Sequence, residues 1–122
     1  VSRKTVLAVD DSSTVLLSEQ LFLSRAFQVV SARDGLEGLE KARALRPDLI
    51  LLDVVMPRLD GLEACRRLRE DEATSGIPII LVTTRGELDS LEAGYEAGCS
   101  DYVTKPFNGP ELLAKVRSLL GE

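Results

Sequence analysis

Five short apolar runs, each followed by a longer amphipathic stretch, constrain the fold of this chain more than any other feature of its sequence. The runs are Thr5–Val9, Gln28–Ala32, Leu49–Leu52, Ile77–Val82 and Asp101–Thr104. Four are rich in β-branched or other apolar residues, as buried strands require; the fifth, around Tyr102 and Val103, is the weakest. Helices are predicted over residues 13–25, 35–45, 60–70, 87–97 and 109–120. In the second, Leu36, Leu39 and Leu45 with Ala42 make one apolar stripe, and Pro47-Asp48 breaks to the next strand. Asp60 suits the N-cap of the third, with Glu63 three residues on as in a capping box. Gly98 suits the end of the fourth and Pro110 the first turn of the fifth.

Strands and helices thus alternate five times. Alternation with fully apolar strands predicts a parallel sheet covered by helices on both faces. Five units are too few for an eight-fold barrel, so the class is α/β with a doubly wound open sheet. The 122 residues are 44% hydrophobic, which suits one domain with a real core, and no repeat or linker divides residues 1–122.

Composition narrows the function. A net charge of −5 offers no footprint for nucleic acid. There is no 18-residue apolar run to span a membrane, and no visible signal peptide, so a cytoplasmic location is expected. The chain begins at Val1, which suits an excised domain or a processed or engineered terminus. Cys65 and Cys99 read as free buried thiols rather than a disulfide. Histidine is absent, which excludes Cys/His zinc sites, Ser-His-Asp catalysis and a phosphohistidine on this chain.

In doubly wound sheets, ligands bind beyond the carboxyl ends of the strands. Strand 1 leads into Asp10-Asp11, strand 3 into Asp53, strand 4 into Thr83-Thr84 and strand 5 into Lys105-Pro106. Each has an ordinary explanation alone: a helix cap, a solvated strand end, β-branched filler, a surface lysine. Together they bring three carboxylates, a hydroxyl and an ammonium to one edge. Clustered carboxylates repel unless a divalent cation sits among them, and oxygen-only ligands suit Mg²⁺. A carboxylate is also a nucleophile toward phosphorus, and Lys105 and Thr83 supply the cation and hydroxyl donor that a phosphoryl group needs.

In order and spacing, "VDDS", "LLDVVMPRLDG", "ILVTT" and "GCSDYVTKPF" resemble the motifs of a CheY-like response-regulator receiver domain of two-component phosphorelay signalling, over nearly the whole chain. The resemblance implies a flavodoxin-like (βα)5 sandwich with strand order 2-1-3-4-5. It implies Asp53 as phosphoacceptor, Asp11 and Asp53 as direct Mg²⁺ ligands, Asp10 assisting through water and the Val55 carbonyl as a further ligand. Mn²⁺ is expected to substitute. Lys105 would hold the phosphoryl group, the Lys105-Pro106 bond would be cis, and Thr83 and Tyr102 would form the switch. The donor would be a histidine kinase or phosphotransfer domain. Output would pass through helix 4, strand 5 and helix 5 to a protein target or a larger parent protein, since no output domain follows helix 5. Such a domain is not a metabolic enzyme; it catalyses its own phosphorylation and dephosphorylation.

The sequence departs from the family in four places. Helix 1 lacks a closing glycine, so the Arg25-Ala26-Phe27 corner is expected to be tight. Thr84 stands where receivers often carry something smaller, and Val55 and Arg85 stand where access of water is tuned. Two other classes fit less well. A haloacid-dehalogenase-type phosphatase usually carries a second Asp where Val55 stands, and a flavin binder needs stacking residues, yet there is no Trp and only two Tyr.

Overall fold

In the computed structural model, which describes residues 3–84 and 91–122, ten elements alternate in chain order. They are β1 (Thr5–Val9), α1 (Ser13–Leu23), β2 (Gln28–Ala32), α2 (Gly35–Leu45), β3 (Leu49–Asp53), α3 (Gly61–Glu70), β4 (Ile79–Thr84), α4 (Leu91–Ala97), β5 (Asp101–Lys105) and α5 (Gly109–Leu120). The strands form one parallel sheet in the order 2-1-3-4-5.

Because strand side chains alternate, the sheet makes two cores. Leu7, Ile50, Leu52 and Leu81 face one way and pack with Leu39 and Ala42 of α2, Ala64, Cys65 and Leu68 of α3 and Ala97 of α4. Val6, Leu49, Leu51, Ile80 and Val82 face the other way, against Leu23 of α1 and Leu112 and Val116 of α5. All five residues of β3, the central strand, are buried. Both cysteines are free and buried, as expected.

Several boundaries differ from the sequence reading. β4 starts at Ile79, not Ile77, because the Ile77 N–H turns back to Thr74 O and Pro78 has no N–H; the ladder opens with Ile50 N–H donating to Pro78 O. It runs on to Thr84 because Thr83 and Thr84 pair with Thr104 and Lys105. β3 and β5 likewise run one residue further, to Asp53 and Lys105. α1 stops at Leu23: Ala26 and Phe27 both donate to Leu23 O, at 3.1 and 2.9 Å, and this tight corner replaces the missing glycine. Residues 87–90 of the expected fourth helix lie outside the described residues.

The apolar stripe of α2 is also corrected. The buried face is Gly35, Gly38, Leu39 and Ala42, at i, i+3, i+4 and i+7, while Leu45 is exposed. Glycines suit this face because Gly38 lies close to Val9 of β1 and Gly35 close to Leu59. On α3, Asp60 caps as expected, accepting from the Glu63 N–H at 2.9 Å. The return half of the box is not made; the Glu63 carboxylate pairs instead with Arg66 and Arg67, both at 3.3 Å.

At the amino edge of the sheet, one guanidinium ties three segments together. Arg69 Nε donates to Gly98 O at 2.8 Å, and Nη1 to Ser75 O and Ile77 O at 3.1 and 2.6 Å. Gly98 itself closes α4 at φ 110, a left-handed conformation that glycine adopts without a Cβ penalty. Its N–H donates to Tyr95 O, and the Cys99 N–H donates to Gly94 O.

Candidate functional site

The carboxyl edge gathers side chains from β1, β3, β4 and β5. Asp10 follows β1 and is fully buried; its N–H donates to Ala32 O at 3.1 Å, and its Oδ1 accepts from the Ser12 N–H at 2.9 Å. Ser12 then caps α1 by accepting from the Val15 N–H. Asp11 is exposed at the rim. Asp53 ends β3 and is buried. Asp10, Asp11 and Asp53 each offer a carboxylate oxygen, and these lie within 4.8 Å of one another.

Lys105 enters this group from the end of β5. Its Nζ lies 3.0 Å from Asp10 Oδ2 and 3.1 Å from Asp53 Oδ1. The Lys105–Pro106 peptide bond is cis. Burial acts against the ammonium, but its bonds to Asp10 and Asp53 more than offset this and raise its pKa. Asp53 moves the other way from an ordinary carboxylate: burial, then the charge of Asp10, push it up to about 6 against the pull of Lys105. Burial and a neighbouring carboxylate thus hold Asp53 above the ordinary carboxylate range even with the Lys105 ammonium beside it.

The turn after β3 is fixed by its backbone. The Gly61 N–H donates to Val54 O at 2.8 Å, and Gly61 lies so close to the Asp53 carbonyl that a Cβ there would overlap it. Val54 and Met56 turn inward and are buried, which leaves Val55 between them 60% exposed at the rim. Arg58, at φ 71, pairs with Asp34, the N-cap of α2, at 3.1 Å.

Thr83 is buried on β4, and its Oγ1 donates to Thr84 O at 3.2 Å. Thr84 is exposed and lines, with Lys105, Pro106, Phe107 and the Thr14 and Phe22 side of α1, a mainly apolar cleft of about 540 Å³. Tyr102 is half-buried on β5 and packs against the α2–α3–α4 core. Asp10, Asp11, Asp53 and Lys105 are thus brought together; Val55 and Thr84 stand at the rim, Tyr102 stands apart, and Arg85 lies outside the described residues.

One residue escaped the sequence reading. Glu19 of α1 is buried, and its Oε1 has no hydrogen-bond partner. Burial first, then the charges of Asp10 and Asp53, push its carboxyl up to about 8, with Lys105 pulling the other way. The signal was present in its spacing: Leu16, Glu19 and Leu23 share the buried face of α1 at i, i+3 and i+7.

Comparison with known proteins agrees with this arrangement. The sequence model of the response regulator receiver domain matches residues 6–117. The transcriptional regulatory protein CseB of Streptomyces coelicolor is 47% identical over 116 residues, covering 94% of this chain and 48% of that protein. The chain therefore spans about half the length of the curated relatives it matches. A solved structure of a response regulator from Chloroflexus aurantiacus superposes with a TM-score of 0.94 at 36% identity, over 99% of this chain and 100% of the other. The receiver domain of the sensor histidine kinase PA1611 from Pseudomonas aeruginosa, solved with a magnesium ion in its active-site cleft, superposes with a TM-score of 0.87 at 31% identity, over 99% and 100%. A sequence match over nearly the whole chain and a shared fold lead to one conclusion: this chain belongs to the response regulator receiver domain family.

Proposed function

We propose that residues 1–122 form a single receiver domain in which Asp53 accepts a phosphoryl group from a phosphohistidine of a partner histidine kinase or phosphotransfer domain. The observation that carries this reading is Lys105, whose ammonium bridges Asp10 and Asp53 at 3.0 and 3.1 Å within a trio of strand-end carboxylates. An Asp53 carboxylate oxygen forms a bond to phosphorus while the phosphorus–nitrogen bond of the donor breaks. The electron pair stays on the imidazole nitrogen, which takes a proton from solvent. Attack of water on the acyl phosphate then releases inorganic phosphate and restores the carboxylate. Lys105 pairs with the phosphoryl oxygens, and the Thr83 hydroxyl donates to another.

Asp11 and Asp53 are the proposed direct ligands of Mg²⁺ (or Mn²⁺ in its place), with Asp10 acting through water and the Val55 carbonyl as a further ligand. Three carboxylates with oxygens within 4.8 Å, and no nitrogen or sulfur donor among them, fit a hard divalent ion. When bound, the ion offsets the negative charge of the carboxylates and of the incoming phosphoryl group. Val55, Thr84 and Arg85 tune the approach of water: Val55 offers it no side-chain hydrogen bond, and Thr84 adds bulk at the rim.

The new phosphoryl group carries roughly −1.5 to −2 charges. Thr83 moves toward it and Tyr102 follows, changing the surface of α4, β5 and α5. Output then reaches a protein target or a fused output domain of a longer parent protein; relatives twice this length that are transcriptional regulators favour the latter. No described helix is long and apolar enough to cross a membrane, and the switch is read as working in the cytoplasm.

The test is to incubate the protein with Mg²⁺ and acetyl phosphate, trap the acyl phosphate with borohydride and map the modified peptide. Label at Asp53 alone is expected. Label elsewhere, or undiminished label in Asp53→Asn, overturns the reading, and steady turnover of a small phosphate ester would favour a phosphatase.

A further inference from the structure

The region around Tyr102 holds a feature that phosphoryl transfer does not use. Lys115 is on α5, which packs against the core on one face of the sheet, whereas Tyr102 packs with the core on the opposite face. Lys115 nevertheless reaches Tyr102 around β5, the edge strand. Its Nζ lies 5.0 Å from the centroid of the Tyr102 ring, donates to Tyr102 O at 2.8 Å and pairs with Asp101 Oδ1 at 3.3 Å. The same Asp101 oxygen accepts from the Tyr102 N–H at 2.8 Å. Both backbone polar groups of Tyr102 and the face of its ring are therefore engaged by one half-buried ion pair.

An isolated surface ion pair contributes little to stability. This pair differs because all its contacts converge on one residue, and that residue is the aromatic of the proposed switch. A cation over an aromatic face favours the ring position that keeps it there. We propose that Lys115 is a positioning residue for Tyr102: a latch across the sheet edge that holds the ring in its present place and makes α5 respond when the ring leaves. The proposal rests on the reading of Thr83 and Tyr102 as the switch.

The latch sets how readily the ring moves. A cation–π contact of the usual strength biases a two-position equilibrium by roughly two- to five-fold. Losing it loosens Tyr102 before any phosphoryl group arrives, and removes the route by which ring movement is passed to α5.

The experiment compares wild type, Lys115→Met and Lys115→Arg by NMR, with and without Mg²⁺ and beryllofluoride, a phosphoryl mimic. Lys115→Met keeps the length of the side chain and removes its charge. In Lys115→Met, the Tyr102 ring resonances should shift and broaden before any ligand is added. The beryllofluoride response of residues 109–120 should fall at least two-fold while that of residues 79–84 persists. Lys115→Arg should restore both, which a merely structural role would not require. Asp101→Asn, which removes the other half of the pair, should act in the direction of Lys115→Met. If wild type responds at Tyr102 and Lys115→Met shows the same ring resonances and the same α5 response, the latch is wrong and the switch stands. If Tyr102 in wild type does not respond at all, the switch reading fails and the latch fails with it.

Discussion

Lys105 Nζ and Asp53 Oδ1 stand 3.1 Å apart at the carboxyl edge of the sheet, although 52 residues separate them in sequence. The ammonium is what keeps Asp53 from rising beyond about 6 under the pressure of burial and of Asp10. Two unit charges ~4 Å apart interact by about 4 kcal/mol at an effective dielectric of 20, so its removal is felt. In metal-free Lys105→Met, the Asp53 carboxyl should titrate above its wild-type value. Carboxyl ¹³C shifts followed against pH measure this directly, and an unchanged midpoint would contradict the assignment.

Metal affinity should depend on the carboxylates unequally. Asp11→Asn should weaken Mg²⁺ binding more than Asp10→Asn, because Asp10 already pairs with Lys105 and acts through water in the proposed ligand set. Titration calorimetry of the two variants beside wild type checks the order; equal affinity in wild type and Asp11→Asn rejects the site.

Glu19 should make the metal-free protein less stable as pH rises. Its carboxyl ionises near 4.5 in an unfolded chain but at about 8 in the fold. Between those values the native state binds more protons than the unfolded state, so stability falls with pH, by at most about 1.36 kcal/mol per pH unit from this group. Asp53, raised to about 6, adds a loss of the same sign at lower pH. Urea midpoints measured from pH 5 to 8.5 should decline in wild type and decline less in Glu19→Gln. Parallel profiles for the two proteins would show that Glu19 does not titrate in this window.

The acyl phosphate should be long-lived for a receiver. Thr84→Ala removes bulk at the rim, and Val55→Asn offers the attacking water a hydrogen bond. Either variant should lose its phosphoryl group faster than wild type when decay of the labelled protein is timed. If neither does, the steric account of hydrolysis fails.

Gly61→Ala should be strongly destabilising although it adds only a methyl group. That methyl would overlap the Asp53 carbonyl, and shifting the backbone to relieve it typically costs about 1–3 kcal/mol. Urea denaturation should show the loss, and phosphorylation at Asp53 should slow. Wild-type stability in this variant would mean that the turn after β3 is looser than its close approach implies.

Element types and order were legible because each strand is a short apolar run and each helix a longer amphipathic one, the two simplest periods a sequence carries. Strand limits were less legible. Whether Thr83, Thr84 and Lys105 belong to strands depends on having a partner in register, and only the pairing of β4 with β5 supplies it. The face of α2 is hard to read because leucines dominate its sequence, whereas close packing of Gly38 on Val9 and of Gly35 on Leu59 sets which side is buried. The residues meeting at the carboxyl edge could be named because strand ends converge in this architecture. Glu19 could not be anticipated by chemistry alone: an acid on the apolar stripe of α1 signals only through its position, and its nearness to Asp10 and Asp53 is a matter of tertiary packing.

The guanidinium of Arg69 gives α4 a fulcrum. It grips Gly98, the residue that closes the helix, and through Ser75 and Ile77 it fastens that end to the segment leading into β4. Ser100 adds a second fixing, donating its N–H to Ile79 O at 2.7 Å and accepting from the Ile79 N–H at 3.1 Å. A rod pinned at one end swings rather than slides. In the proposed switch, any displacement of α4 would therefore grow with distance from Gly98, and a partner of the proposed output surface would gain most signal by gripping the turn that begins at Leu91.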